Sequence, residues 1–104
     1  MMFTEDNFRQ RLTQLRMQKG VSAREMSLSL GANPGYIQNI ESGKASPSLE
    51  YFLYICEYLK ISPREFFDVD NEDPISQRTL NRDWQRLDPA QQNIVRSVIQ
   101  GFLK

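Results

Sequence analysis

A repeated helix-start signal divides this chain more clearly than any other feature of its sequence. The signal is a serine or aspartate followed three positions later by an acid or amide, so that each side chain can bond a backbone N–H at the start of a helix. It occurs at Ser22 with Glu25, at Ser62 with Glu65 and at Asp88 with Gln91. A chain divided in this way is expected to fold mainly into helices.

Further start and stop signals complete the division. Asn33 before Pro34 predicts one more helix start, and Ser46 or Ser48, on either side of Pro47, predicts another. Apolar residues between the signals recur three or four positions apart, and no segment alternates as a half-buried strand would. The glycines that can end helices in the left-handed conformation are Gly20, Gly31 and Gly43. The sequence therefore predicts an all-α fold with helices near residues 5–19, 22–29, 33–41, 48–60, 62–67, 76–86 and 88–103.

The length of the chain fits one core with a short extension. With 104 residues the chain is too short for two domains with full-sized cores. We expect a domain over residues 1–69, a polar linker over 70–75 and a C-terminal helical extension over 76–104. No apolar run approaches the roughly 18 residues of a membrane span, and the N-terminal segment lacks the basic start and apolar stretch of a signal peptide. We therefore expect a cytoplasmic protein with no membrane partner.

The residue types present argue against an enzyme or a metal site. Histidine is absent, which removes the commonest general base and the commonest zinc ligand. The single cysteine, Cys56, lies among apolar residues and is expected to be packed rather than reactive. We see no pair of nucleophile and base and no phosphate-binding glycine loop. The sequence predicts no enzymatic activity, no metal and no cofactor.

The formal net charge of zero hides an uneven distribution of charge. Residues 1–49 hold six basic and four acidic side chains, residues 50–75 hold two and seven, and residues 76–104 hold five and two. Neutrality argues mildly against a nucleic-acid binder, because attraction to phosphates supplies much of the affinity for DNA. The acidic centre need not touch DNA, however, so a basic face elsewhere could still bind it.

The second and third predicted helices are separated by a short turn that contains Gly31. This arrangement fits a helix-turn-helix, in which the first helix crosses the DNA backbone and the second enters the major groove. Many small helical proteins contain a tight turn of this kind, so the spacing alone is a weak signal.

A longer set of residues between Leu12 and Phe67 makes the signal specific. The set is Arg16, Gly20, Ser22, Glu25, Met26, Leu30, Gly31, Tyr36, Ile37, Ile40, Glu41, Gly43, Lys44, Pro47, Ser48, Leu49, Ile61, Ser62, Pro63, Glu65, Phe66 and Phe67. In these residues the chain resembles the phage repressor and Cro-like helix-turn-helix family, also called the XRE family. The resemblance covers a little over half of the chain without gaps. It implies a five-helix lambda-repressor-like DNA-binding domain, usually a homodimer on double-stranded DNA with two half-sites, that regulates transcription, and we expect a repressor.

The resemblance also implies roles for individual residues. Arg16 and Glu41 correspond to a pair that joins the first and third helices, so we assign them to architecture, with a phosphate contact by Arg16 as the alternative. Ser22 caps the second helix, whose N–H groups and positive dipole end could hold a phosphate. Lys44 and Ser46 match positions that commonly touch phosphate, although Lys44 could equally be a solvated charge.

The base-reading positions depart from the family pattern. Ala23 stands where relatives usually have glutamine, and Pro34 and Gly35 stand where base-reading side chains begin the recognition helix. Asn39 matches a base-contacting position and could bond bidentately to adenine. Neither Pro34 nor Gly35 has a side-chain donor, so direct readout at that end should be poor. Gly35 could let the helix end approach the DNA backbone closely, which would shift specificity toward DNA shape. The full predicted DNA surface is Ser22, Ala23, Asn33, Pro34, Gly35, Tyr36, Gln38, Asn39, Ser42, Lys44 and Ser46. A second hypothesis stays open, a protein-interaction module or antitoxin-like protein with weak or lost DNA recognition.

The predicted helix over residues 48–60 carries two apolar stripes, and contact with one core needs only one. The stripes are Leu49, Phe52, Leu53 and Cys56, and opposite them Tyr51, Tyr54, Ile55 and Tyr58. The C-terminal residues that could cover the second stripe are Trp84, Leu87, Ile94, Val95, Val98, Ile99, Phe102 and Leu103. The tail either folds back on its own domain or pairs with a second copy, and it could also bind another protein. We favour the homodimer, since an apolar tail left alone would expose a large patch.

Overall fold

The computed structural model describes residues 2–104 and contains seven α-helices in that range. They are α1 (Glu5–Lys19), α2 (Ala23–Ser29), α3 (Tyr36–Glu41), α4 (Leu49–Leu59), α5 (Pro63–Phe67), α6 (Pro74–Gln85) and α7 (Pro89–Leu103). No strand occurs in residues 2–104, so the predicted all-α fold is confirmed. None of the helices described is long and apolar enough to cross a membrane.

Most helices begin at the predicted start signals. The side-chain oxygens of Ser22, Ser62 and Asp88 each accept a hydrogen bond from the backbone N–H three residues on, at 2.8–3.0 Å. All three receive the returning bond of a capping box. Of the two serines around Pro47, Ser48 rather than Ser46 is the cap, because its hydroxyl accepts the N–H three residues on at 3.1 Å. These bonds pair N–H groups that have no partner inside their own helix.

The third helix begins later than predicted. The sequence indicated a helix over residues 33–41, whereas α3 starts at Tyr36 with Gly35 as its N-cap residue. The reason is local, since the Asn33 side-chain oxygen accepts the Gly35 N–H at 3.1 Å and closes an Asx turn instead of capping a helix. Pro34 and Gly35 therefore lie in the turn before α3 and not in its first helical turn.

The chain divides into two compact units, Met1–Pro74 and Ile75–Lys104. The first unit holds the hydrophobic core, to which α1 to α5 all contribute. Its buried apolar side chains are Leu12, Leu15, Met26, Ile37, Ile40, Phe52, Ile55, Cys56, Leu59, Ile61 and Phe66. The Phe8 ring packs against this core, with its centroid 4.9 Å from that of Phe66.

The buried face of α4 differs from the predicted one. Ile55, which the sequence placed on the second stripe, is fully buried, while Leu49 and Leu53 are 74% and 48% exposed. The row that packs inward is spaced three and four residues apart, and it consists of Phe52, Ile55, Cys56 and Leu59. Both sides of this helix are apolar, so periodicity could not decide which side faces the core. Burial raises the pKa of the Cys56 thiol to about 11.

One charged side chain, Arg11, lies inside the first unit and is only 2% exposed. Its Nε donates to the Phe66 carbonyl at 2.7 Å, and its Nη1 donates to Gln14 Oε1 at 2.8 Å. Its Nη2 donates, at 2.8–3.0 Å, to the carbonyl oxygens of Glu65, Asp68 and Asn71. Arg11 therefore joins the middle of α1 to the end of α5 and to the segment that follows it.

The segment predicted to be a linker is held against α1. Besides the bonds from Arg11, the Glu72 carbonyl accepts the Gln18 side-chain amide at 2.7 Å. Pro74 is buried and begins α6. Burial lowers the pKa of Arg11, and the carboxylates of Asp68 and Glu72 oppose that shift. The guanidinium stays charged, because arginine does not lose its proton in proteins, and a buried charge must be hydrogen-bonded.

The second unit is a pair of helices, α6 and α7, joined by a short turn. Its internal contacts are few and partly polar. The Trp84 carbonyl accepts the Gln92 side-chain amide at 3.0 Å, and the Arg96 guanidinium carbon lies 5.1 Å from the centroid of the Trp84 ring. No residue of α7 is buried. The second unit therefore lacks a core of the kind that the first unit has.

We predict that Arg11→Met destabilises the first unit by about 3 kcal/mol or more, because buried carbonyl oxygens lose a charged donor. Urea unfolding followed by circular dichroism measures the change. The control is Arg24→Met, which alters an exposed arginine of α2 and should change the free energy of unfolding by no more than about 0.5 kcal/mol. Equal losses in the two variants would contradict the role given to Arg11.

Candidate nucleic-acid interface

The turn between α2 and α3 is closed by backbone bonds around a left-handed glycine. Gly31 has a φ of 76°, which suits glycine because it has no side chain to clash. Its N–H donates to the Leu28 carbonyl at 3.0 Å, and the Ala32 N–H donates to the Ser27 carbonyl at 3.0 Å. The chain thus leaves α2 and reverses toward α3 within a few residues. The arrangement has the form of a helix-turn-helix.

A buried serine of α2 caps α3. Ser27 is fully buried, and its hydroxyl donates to the Ala23 carbonyl at 2.7 Å and accepts the Ile37 N–H at 3.0 Å. Gly35 has no side chain to cap this helix, so Ser27 satisfies an N–H that would otherwise be buried without a partner. Sequence reasoning missed this residue. The available signal was a polar side chain on the same face of α2 as Ala23 and Met26.

The ion pair between Arg16 and Glu41 joins α1 to the end of α3. Arg16 Nε lies 2.8 Å from Glu41 Oε2 and Nη2 lies 3.0 Å from Oε1, which is a bidentate arrangement. Arg16 Nη1 donates to the Val21 carbonyl, and Thr13 Oγ1 donates to Glu41 Oε1 at 2.8 Å. The hydrogen bond with Glu41 is the main cause that raises the pKa of Arg16. All three guanidinium nitrogens of Arg16 donate hydrogen bonds within the first unit, so this side chain fixes the position of α3.

Eight of the residues that the sequence proposed for DNA contact are exposed. Ser22 lies before α2, Asn33 and Pro34 lie in the turn before α3, and the others lie on α3 or in the loop after it, namely Gln38, Asn39, Ser42, Lys44 and Ser46. Ala23 differs from them, because it packs against the core. The Asn39 carbonyl accepts the Lys44 N–H at 2.9 Å and the Ser42 hydroxyl at 3.2 Å. These bonds bring Asn39, Ser42 and Lys44 together where α3 ends.

Gly35 leaves space beside the Asn39 side chain. A Cβ atom added at Gly35 would lie 3.9 Å from Asn39 Nδ2 and 3.8 Å from Asn33 Oδ1. The φ of Gly35 is −94°, so the backbone itself does not demand glycine. Within residues 2–104 the Asn39 amide has no hydrogen-bond partner. Glycine at position 35 therefore keeps open the approach to an amide that is available for a ligand.

Tyr36 begins α3 and connects it to α4 through contacts between tilted and edge-to-face aromatic rings. Its ring centroid lies 5.0 Å from that of Tyr51, and Tyr51 lies 5.7 Å from Tyr54. Burial is the main cause that raises the pKa of Tyr36, so its hydroxyl is neutral at physiological pH and can donate a hydrogen bond. Tyr58 is placed differently, with the Lys19 ammonium 4.9 Å from its ring centroid. Tyr51 and Tyr58, predicted for contact with the tail, thus have partners inside the first unit.

Two further arginines lie near this surface and were not among the predicted residues. Arg24 is exposed on the first turn of α2. The Arg9 guanidinium carbon lies 3.5 Å from the position that a Gly43 Cβ would occupy, beside the loop that carries Lys44, and it forms an ion pair with Asp6. In the sequence, only the positive charge of these two arginines could have indicated a contact with DNA. Among residues 2–104, no group of three or more histidine, cysteine or acidic side chains could hold a metal ion.

We predict that Ser27→Ala lowers the free energy of unfolding by about 1–2 kcal/mol, because the Ile37 N–H loses its acceptor in a buried place. Chemical unfolding gives the number. Ser29→Ala serves as the control, since Ser29 lies on the same helix but is exposed, and it should cost much less. The capping role is wrong if the two substitutions have the same effect.

The comparisons with known proteins agree with this geometry. Residues 10–72 match the family model described as a helix-turn-helix domain. No curated protein and no solved structure matches the chain. The matched range runs from within α1 to beyond the end of α5 and covers more than half of the chain. The protein belongs to the helix-turn-helix domain family.

Proposed function

We propose that this protein is a sequence-specific DNA-binding transcriptional regulator of the phage repressor and Cro-like (XRE) kind, acting in the cytoplasm as a repressor. The observation that carries the proposal is the geometry of the α2–α3 pair. Hydrogen bonds to Ser27 and from Arg16 to Glu41 fix the inner side of α3, while its outer side exposes Asn39 near Lys44. Family membership supports the DNA-binding part of the proposal.

In this proposal α3 enters the major groove and each exposed residue has a distinct role. The Asn39 amide can donate to and accept from one adenine edge, which distinguishes adenine from the other bases. Lys44 and Ser46 contact phosphates from the loop after α3, and the N–H groups at the start of α2 contact another beside Ser22. Tyr36 adds a hydroxyl at the start of α3.

The turn before α3 limits direct reading of bases at that end. Pro34 has no N–H, and neither Pro34 nor Gly35 has a side chain that can bond a base. Ala23 packs inward and offers no polar group to a phosphate. We therefore propose that recognition combines base contacts by Asn39 and Gln38 with a preference for DNA shape.

A second candidate function, a protein-interaction module or antitoxin-like protein, is favoured by one observation. The first unit carries eight basic and eleven acidic residues, which is unusual for a surface that binds phosphates. This candidate would use the C-terminal helices for a protein partner. It differs from the first in requiring neither Asn39 nor Lys44.

We also propose that the regulator is a homodimer that pairs through α7. Five side chains on this helix are between 48% and 85% exposed, namely Ile94, Val98, Ile99, Phe102 and Leu103. Exposed apolar side chains grouped on one helix are typical of a protein–protein interface. An isolated helix of this length is marginal in water. A second copy offers a matching apolar face and places two α3 helices on two half-sites.

The DNA-binding proposal is tested by titrating the protein against random duplex DNA and against the region upstream of its own gene, each at two salt concentrations. Asn39→Ala should lose about 1–3 kcal/mol on the preferred sequence and little on random duplex. Lys44→Ala should weaken binding to all sequences and reduce the salt dependence by about one phosphate contact.

Matched controls separate these effects from changes in folding. Gln10→Ala removes an exposed amide of α1, and Arg64→Ala removes an exposed charge of α5. Both should bind as the wild type does. If Asn39→Ala and Lys44→Ala also leave binding unchanged, the protein-interaction function gains over DNA recognition.

The dimer is tested by Val98→Asp, which places a charge in the middle of the apolar face of α7. Light scattering should show twice the chain mass for the wild type and the single-chain mass for the variant, because burying an unpaired carboxylate is costly. Ser97→Asp adds the same charge on the polar side of the helix and should stay dimeric. A wild type with single-chain mass at high concentration rules out the pairing.

A further inference from the structure

The two units of this neutral chain carry opposite net charges. The first unit, Met1–Pro74, has eight basic and eleven acidic residues, which leaves a net charge of −3. The second unit, Ile75–Lys104, has five basic and two acidic residues, which leaves +3. The helix-turn-helix therefore belongs to the acidic unit, while the attraction that a DNA duplex would exert falls on the C-terminal helices.

Two of the five basic residues of the second unit, Arg82 and Arg86, are named here the arginine row. Arg82 lies near the end of α6, and Arg86 follows four residues later in the turn that closes the helix, where its N–H donates to the Asp83 carbonyl at 3.1 Å. Both are exposed. At about 1.5 Å per residue the row extends over roughly 6 Å.

The arginine row lies on the side of α6 that faces away from α7. Trp84 is the residue of α6 that contacts Gln92 and Arg96 of α7. Two residues along a helix correspond to a rotation of about 200°, so Arg82 projects nearly opposite to Trp84. Asp83, the nearest acidic residue in the helix, is about 100° away from Arg82 around the helix. In residues 2–104, Arg82 and Arg86 form no ion pair with a carboxylate.

We propose that the arginine row is a second DNA-contacting site, which binds phosphates of the duplex backbone independently of base sequence. This inference rests on the function proposed above, because it assumes that the first unit holds the same DNA. Over about 6 Å of duplex one strand presents roughly two phosphates, enough to meet two guanidinium groups. Arginine suits this contact, since its planar fork matches phosphate oxygens.

The covalent connection between the units makes a weak contact effective. The chain passes from the first unit to the second between Pro74 and Ile75 without a long intervening segment. Once the first unit is bound, the arginine row meets DNA at an effective concentration in the millimolar range. The second unit would then supply the charge attraction that the acidic first unit lacks, while α3 supplies the sequence preference.

The test measures salt dependence with the full chain and a duplex of about 30 base pairs, long enough for two half-sites. Each phosphate contact contributes about 0.9 to the slope of log affinity against log salt. Replacing both arginines of the row by glutamine should lower the slope by about 1.8. Between about 50 and 200 mM salt, the wild type should then lose about 12-fold more affinity than the double variant.

Two single substitutions that each remove one positive charge, Arg82→Gln and Arg64→Gln, can be compared directly. Arg82→Gln should reduce the loss of affinity over the same salt range by about 3.5-fold relative to the wild type. Arg64→Gln removes the same charge from an exposed position on α5 and should leave the slope unchanged. In the variants of the arginine row, the ratio of affinities for the upstream region and random duplex should stay within about twofold of the wild type, because phosphate contacts carry no base information. Light scattering and circular dichroism confirm that assembly and helix content are unchanged.

The outcomes separate this inference from the proposed function. If the double variant has the slope of Arg64→Gln while Asn39→Ala still erodes sequence preference, the second site is absent and the regulator function stands. If the double variant loses binding while Asn39→Ala and Lys44→Ala have no effect, the arginine row binds DNA and the role of α3 is wrong. If the wild type binds no duplex even at about 50 mM salt, both are overturned.

Discussion

The buried guanidinium of Arg11 is the interaction on which the arrangement of the first unit depends. A charge that cannot be neutralised is stable in a core only when its N–H groups all find acceptors. Here the acceptors are backbone carbonyls at the end of α5 and in the segment after it, together with the side chain of Gln14. Because those carbonyls belong to residues far from Arg11 in sequence, pairing them places α1 against the C-terminal boundary of the unit. The same helix, α1, also carries Arg16, whose ion pair with Glu41 joins α1 to the end of α3.

The proposed recognition helix is positioned largely by residues outside it. At six residues, α3 is too short to be stable alone, and it has no side-chain cap of its own. Its start is held by the Ser27 hydroxyl and its end by the bidentate pair between Glu41 and Arg16. Ile37 and Ile40 are buried on the inner side. Because these contacts are all on the inner side of α3, the fold does not depend on the side chains of Gln38 and Asn39 on its outer side. Those two residues can therefore differ in chemistry without loss of the fold.

The division of charge gives the two units different parts in the proposed regulator. An acidic unit that carries the helix-turn-helix can read a sequence only if attraction to DNA is supplied elsewhere or if its own few basic residues suffice. The second unit has both a basic side on α6 and an apolar side on α7, and these two sides are compatible, because a helix pair can bind one surface on each face. Dimer formation through α7 and phosphate contact through α6 would therefore not compete for the same residues.

The sequence by itself determined the features that depend on neighbouring residues. Capping side chains lie three positions from the N–H groups that they satisfy, so the starts of α2, α5 and α7 could be read from Ser22, Ser62 and Asp88, and with them the all-α fold. The helix-turn-helix was predicted from the resemblance to a known family, because the glycine turn alone was a weak signal. Tertiary structure alone decided the burial of Arg11, the cap supplied by Ser27 and the choice of Ile55 rather than Leu49 for the core. Each of these depends on atoms that are distant in sequence or on which of two apolar faces finds a partner, and periodicity contains neither kind of information. The start of α3 was predicted wrongly for a local reason. The Asn33 side chain could either cap a helix or close an Asx turn, and in the structure it closes the Asx turn.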